Sequence, residues 1–155
     1  MTSSKKGWHL FVDGASRGNP GPSGAGIYLS NNGVTIAKRG YFLGKHTNNE
    51  AEYLALLIGA FVAKKHMKEE VHLHVFSDSL LLIKQMKGEY RVRKPELIVL
   101  HQLVTTYFTG FECTFTHVYR EKNVEADALA NVGVDTKTSL PVSFISLLRT
   151  HNIHV

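Results

Sequence analysis

The 155-residue chain has a single cysteine, Cys113, which excludes an intrachain disulfide and a cysteine-built zinc cluster. Set between Phe111 and Phe115, that cysteine reads as a buried hydrophobe. No apolar run approaches the roughly 20 residues of a membrane span. The start, Met1-Thr2-Ser3-Ser4-Lys5-Lys6, has no apolar stretch behind it of the kind a signal peptide carries. The expectation is a cytoplasmic chain with no membrane partner. Acidic residues are scarce, 13 against 18 Lys and Arg, and the net charge is +5. That balance favours a polyanionic partner. It fits a plain basic domain, and equally an enzyme that holds cations in a small carboxylate cluster while gripping phosphates elsewhere. With 43% hydrophobic and only 20% charged residues, disorder is excluded, and the length suits one domain with a sizeable core.

What is present begins with a carboxylate after an apolar run. Residues 8–12 end on Asp13, and the next nine, 14–22, hold three glycines and two prolines. The pattern predicts a strand that carries Asp13 to its tip and then turns sharply. Asp13 is thereby presented rather than buried mid-strand. Beside a Gly-rich loop it suits a hard metal ion bound with phosphate oxygens, or an Asx-turn that merely ends the strand. Residues 24–29 resume extended structure, Asn31-Asn32-Gly33 is a hairpin turn, and residues 34–43 supply a third strand, completing an antiparallel meander.

Thr47-Asn48-Asn49-Glu50 matches a capping box, and Ala51, Leu54, Ala55, Ile58 and Val62 give the following helix one apolar face to about Lys65. Glu52 lies in its first turn, where it either complements the helix dipole or, with Glu50 already capping, points elsewhere. Lys64, Lys65, His66, Lys68, Glu69 and Glu70 form a polar link. Residues 71–77 alternate as a strand that delivers Asp78 to its tip. His72 and His74 share one face of it, either as a metal pair or, the better explanation, as a strand surface half-covered by a helix. Ser79 caps a helix over 80–87, which Gly88 stops.

The connector Glu89-Tyr90-Arg91-Val92-Arg93-Lys94 is either a solvated loop or, with Lys84 and Lys87, a track for a phosphate backbone. Pro95 opens a helix carrying Leu97, Leu100, Leu103, Val104 and Tyr107, and Gly110 ends it. Residues 111–119 alternate as a fifth strand. A turn follows, Asn123 serves as cap, and residues 124–132 are helical with Asp127 in the second turn. Residues 140–148 are too apolar to hang free, so they dock on the domain or on a partner subunit, as a short helix after Pro141.

Four blocks stand in order. Asp13-Gly14-Ala15-Ser16-Arg17-Gly18-Asn19-Pro20-Gly21, then Thr47-Asn48-Asn49-Glu50-Ala51-Glu52, then Ser77-Asp78-Ser79, then Asn123-Val124-Glu125-Ala126-Asp127-Ala128-Leu129-Ala130. Together they resemble the signature blocks of type 1 ribonuclease H. The resemblance implies an α/β ribonuclease H-like fold with a five-stranded mixed sheet, three strands antiparallel and two further ones parallel, flanked by helices. The expected organisation is a domain over 1–135 with a C-terminal extension, 136–155, docked on the domain or a partner, in a monomer rather than an oligomer. The resemblance also implies that Asp13, Glu52, Asp78 and Asp127 converge as a catalytic quartet holding two Mg²⁺ or Mn²⁺ ions. The expected activity is endonucleolytic hydrolysis of the RNA strand of RNA–DNA hybrids, leaving 5′-phosphate and 3′-hydroxyl ends. Gly14, Ser16, Arg17, Asn19, Asn48 and Asn49 are implied as contacts to the hybrid's minor groove, where 2′-hydroxyls mark RNA. Arg91 and Arg93 are expected on phosphates.

The chain departs from the family pattern at three places. Tyr119-Arg120-Glu121-Lys122-Asn123 stands where many bacterial members carry a Gly-His-x-Gly loop, so this chain resembles the branch without that loop, with Arg120 or Glu121 as candidate stand-ins. Leu80 replaces a Gln often found after the third block, and the long basic handle shrinks to residues 88–94. Two other classes are compatible with the fold: a non-catalytic duplex-binding module, and another nuclease such as a junction-cutting enzyme.

Overall fold

Alternating apolar runs pair first with their neighbours along the chain. Strands β1 (Trp8–Ser16), β2 (Gly21–Asn31) and β3 (Val34–His46) form the antiparallel meander. Strands β4 (His72–Ser77) and β5 (Glu112–His117) add in parallel beyond β1, giving the order β3-β2-β1-β4-β5. Helices α1 (Asn48–His66), α2 (Leu80–Met86), α3 (Pro95–Tyr107), α4 (Val124–Thr136) and α5 (Val142–Thr150) complete the chain. This is the five-stranded mixed α/β sheet that the four blocks imply. The computed structural model describes residues 6–67 and 72–155. The N-terminal residues 1–5, the Lys68, Glu69 and Glu70 part of the polar link, and Val71 at the expected start of β4 lie outside the described residues.

The two faces of the sheet differ. On one, Leu10, Val12, Leu73 and Val75 are fully buried, and Gly59 of α1 lies against the Leu10 and Val12 side chains. The expected single apolar face of α1 is corrected here. The helix is buried on every side from Tyr53 to Ala63, because α3 covers the flank that the sheet leaves open. On the other face α4 packs over β2, β3 and part of β1. A Cβ at Gly26 would stand 1.9 Å from the Ala126 carbonyl oxygen, so only glycine lets α4 approach this closely.

Several expected boundaries move. β1 runs on to Ser16 and β2 begins at Gly21, because Gly14 and Gly21, expected in the turn, instead pair with Ala25 and His46. β3 extends past Leu43 to His46, and α4 continues through Gly133 to Thr136, ending on Lys137 in the left-handed conformation. Asn123 does not cap α4 with its side chain, which is spent elsewhere. His72 and His74 are not roofed by a helix: their neighbours on β5, Glu112 and Thr114, are exposed. Burial and the nearby His72 and His9 hold His74 below the usual histidine value. Cys113 is half-buried rather than buried, and burial pushes its thiol up to about 11.

The end of the chain returns to the core. The Phe42 amide donates to the Thr138 carbonyl at 2.8 Å. Leu140, Phe144 and Leu148 are buried, and the Phe144 ring meets Phe61 edge-on at 5.2 Å. Among the described residues no helix is long and apolar enough to cross a membrane.

Candidate active site

The site forms where the parallel pairing stops. β1 and β4 stay in register only to Val12 opposite Ser77, while β1 continues against β2 with Asp13 opposite Gly26. Asp13 is therefore mid-strand toward β2 and at a strand end toward β4, which corrects the expectation of a carboxylate simply presented at a tip. It is only 5% exposed. Asp78 follows the last residue of β4 and is half-buried beside it.

Helix α1 enters from the side. Thr47 Oγ1 accepts from the Glu50 amide at 3.2 Å, and Glu50 Oε1 accepts from the Thr47 amide at 2.8 Å, the reciprocal capping box. Glu52 is left free, and its Oε1 accepts from the Gly14 amide at 2.8 Å. A Cβ on Gly14 would sit 2.2 Å from the Ala51 carbonyl, so glycine alone lets β1 cross the first turn of α1. The start of α4 is held by Asn123, whose buried Nδ2 donates to the Val12 carbonyl at 3.0 Å. Its Oδ1 is buried with no hydrogen-bond partner among the described residues. This anchor sets Asp127, one turn into α4, over the end of β1.

Carboxylate oxygens of Asp13, Glu52 and Asp78 lie within 4.8 Å of one another. Asp127 joins them around a cavity of about 370 Å³ that Ser16, Asn48 and Arg120 also line. Burial first, then the charges of Glu52 and Asp78, then the hydrogen bond and charge of Asp127, hold the Asp13 carboxyl far above the usual carboxylate range. Burial also raises Glu52; the Gly14 amide offsets part of this, and the Asp78 and Asp127 charges add to it. Carboxylates so crowded are unstable as a charged group alone, and the set is suited to hard divalent cations that take oxygen ligands.

The other expected contact residues fall into two groups. Around the Gly-rich loop, the Ser16 amide donates to Asn48 Oδ1 at 3.2 Å and the Asn48 amide to Asn19 Oδ1 at 3.0 Å, clipping the loop to the start of α1. Asn49 is half-exposed on the next position of the helix. Arg17 reaches instead to α4, pairing with Asp135 at 2.6 Å and with Asn131 Oδ1 at 3.2 Å. Arg91 and Arg93 do not line the cavity. They are exposed on the connector, with Val92 between them turned toward the core, and Gln85 Nε2 donates to the Arg91 carbonyl at 3.4 Å. Lys84 and Lys87 both pair with Glu89, at 3.2 and 3.4 Å, which spends part of the charge expected for the connector. Arg120, in a single 3-10 turn over Arg120–Lys122, places a cation at the cavity, the only one among the described residues that line it. Sequence reading had it only as a stand-in for a missing histidine. Asn123 has the residue type of a cap, and only its place at the head of the last block points further.

Residues 11–133 match a family model described as reverse transcriptase-like. Ribonuclease HI of Halobacterium salinarum is 39% identical over 129 residues, 82% of this chain and 64% of that protein. A bifunctional protein of Mycobacterium tuberculosis is 36% identical over 129 residues, 81% of this chain and 35% of that one. The chain thus spans less than two thirds of the length of either relative. The crystal structure of LC11-RNase H1 in complex with an RNA/DNA hybrid superposes with a TM-score of 0.80 at 31% identity, covering 83% of this chain and 97% of that one. Sheet order, the four blocks and these similarities agree, and the chain belongs to the type 1 ribonuclease H family.

Proposed function

We propose that this chain is an endonuclease that hydrolyses the RNA strand of RNA–DNA hybrids, leaving 5′-phosphate and 3′-hydroxyl ends. The observation that carries the reading is the convergence of Asp13, Glu52 and Asp78 oxygens within 4.8 Å, with Asp127 on the same cavity. A protein of this size gains nothing in stability from such a cluster, since crowding and burial oppose ionisation. The relative that carries the name ribonuclease HI, and the neighbour solved with an RNA/DNA hybrid, support the substrate class.

Asp13, Glu52, Asp78 and Asp127 would hold two Mg²⁺ or Mn²⁺ ions. When bound, such ions supply activation of a water and stabilisation of the leaving 3′ oxygen. The remaining work belongs to the chain. Gly14 and Asn123 fix the spacing of the carboxylates through the Glu52 and Val12 contacts. Gly14, Ser16, Arg17, Asn19, Asn48 and Asn49 form the face that meets the minor groove, where amide side chains both donate to and accept from 2′-hydroxyls. Arg17 does so from its tether on Asp135. Arg120 offers a fixed positive charge to the scissile phosphate at the cavity rim. Arg91 and Arg93 add longer-range grip on phosphates.

The test is cleavage of an end-labelled RNA strand supplied free, paired with DNA and paired with RNA, with Mg²⁺, with Mn²⁺ and with chelator. Cutting of the DNA-paired strand that disappears with chelator is expected. Binding of the hybrid with no cutting under any condition would replace this reading with a duplex-binding module.

A further inference from the structure

A buried polar pair stands where α1, α2, α3 and the basic connector meet. Gln85 on α2 is 5% exposed and Tyr53 on α1 is 1% exposed. The Tyr53 hydroxyl donates to Gln85 Oε1 at 2.5 Å, and Gln85 Nε2 donates to the Arg91 carbonyl at 3.4 Å. The Gln85 backbone carbonyl accepts from the Gly88 amide at 3.1 Å and stands 3.3 Å from Nε2 of His101 on α3. The His101 ring in turn meets Tyr53 edge-on, with centroids 6.2 Å apart.

Core packing alone does not call for this pair. Two apolar side chains of the same shape would fill the space without desolvating a hydroxyl and an amide. What the polar pair adds is direction: an amide fixed at its oxygen aims its nitrogen at one carbonyl. Its place in the chain gives that direction a use. Tyr53 directly follows Glu52, whose carboxylate is held by the Gly14 amide, and α2 begins two residues after Asp78. Gln85 thereby ties the connector to the two elements that bring Glu52 and Asp78 to the cavity. Val92, next to the anchored Arg91 carbonyl, packs against the core, so Arg91 and Arg93 enter solvent from a fixed backbone.

We propose that Tyr53 and Gln85 are positioning residues that set the reach of Arg91 and Arg93 from the carboxylate cavity, so that the connector grips phosphates in step with the site of cleavage. This rests on the proposed reading of the two arginines as phosphate contacts. Neither Tyr53 nor Gln85 touches the reacting atoms. Without them the connector keeps its charge but not its place, and ordering it again on the duplex costs affinity.

The experiment compares the unaltered chain with Tyr53→Phe, which loses only the hydroxyl, and with Tyr53→Phe plus Gln85→Met, which makes both partners apolar at similar shape. Limited trypsin digestion reads the connector itself. Cleavage after Arg91 and Arg93 should quicken in both variants, while cleavage after the exposed Lys137 keeps its rate. On the RNA–DNA hybrid with Mg²⁺, KM should rise severalfold with kcat unmoved. The slope of log affinity against log salt should fall by about 1, the equivalent of one phosphate contact. The double variant separates positioning from stability. Its melting temperature should return toward the unaltered value, since neither hydroxyl nor amide is left unpaired, while KM stays raised. In an Arg91→Ala, Arg93→Ala background, Tyr53→Phe should add nothing to KM. Unchanged trypsin rates at the connector, or a KM effect that adds in full to that of the arginine variant, overturns the proposal. An unaltered chain that binds no hybrid overturns the nuclease reading and this inference with it. Hybrid binding that Tyr53→Phe leaves unmoved overturns this inference alone.

Discussion

The carboxylate cavity and the basic connector over residues 88–94 are held by different means. In the cavity, Asp13 is paired on β1 against β2, Glu52 is fixed by the Gly14 amide, and the helix bearing Asp127 is anchored through Asn123 to the Val12 carbonyl. On the connector, Arg91 and Arg93 project from an exposed stretch held by Val92, by the Glu89 and Tyr90 amides on the Lys84 carbonyl, by one long hydrogen bond from Gln85, and by Glu89 between two lysines. On the proposed function, groups that would share ions to a fraction of an ångström rest on buried register and helix starts. Charges proposed only to lie near a phosphate rest on a loop, where their strength can vary without disturbing the core.

The contrast breaks most sharply at Asp13. Asp13→Asn is expected to cut kcat by on the order of 10³-fold or more, the equivalent of several kcal/mol of lost transition-state stabilisation. Hybrid binding measured by gel shift should stay near the unaltered level. Asn123→Ala comes next: it leaves the buried Val12 carbonyl unpaired and should cost about 1–3 kcal/mol of stability by denaturant unfolding, with activity falling as α4 loosens. Arg91→Ala with Arg93→Ala should leave kcat alone, raise KM, and reduce the slope of log affinity against log salt by about 2. If kcat falls instead, the connector belongs to the precise part of the site. Smallest of all, Asp135→Asn removes an exposed partner of Arg17 and should leave the melting temperature unchanged, with a shift only in cleavage at low salt.

Local signals were legible where a few adjacent residues decide the outcome. The capping box at Thr47 and Glu50, the Ser79 cap and Pro95 at a helix start stand as the pattern predicts. Long-range contacts were not. Gly14 looks like a strand breaker in the sequence and Gly24 and Gly26 like ordinary strand positions, yet all three serve as close approaches between sheet and helix, a property visible only with the helices in place. Asn123 has the residue type of a cap, but its side chain is drawn 111 positions back to Val12. Arg17 lies in a glycine-rich loop and finds Asp135, 118 residues on. Periodicity showed that His72 and His74 share a face, but it could not show that α4 stops short of them.

The most direct test of the account follows melting temperature against pH for the unaltered and Asp13→Asn proteins, without metal and with Mg²⁺. A carboxyl held above its ordinary value favours the fold while protonated. Its contribution is whole below the usual value of about 4 and is lost as pH rises toward the raised one. Without metal, the unaltered protein should therefore lose stability relative to Asp13→Asn as pH climbs from 5 to 9. Mg²⁺ should restore it, with little effect on the variant. Superimposable curves for the two proteins, with and without Mg²⁺, would contradict the claim that these carboxylates form one cation-dependent unit.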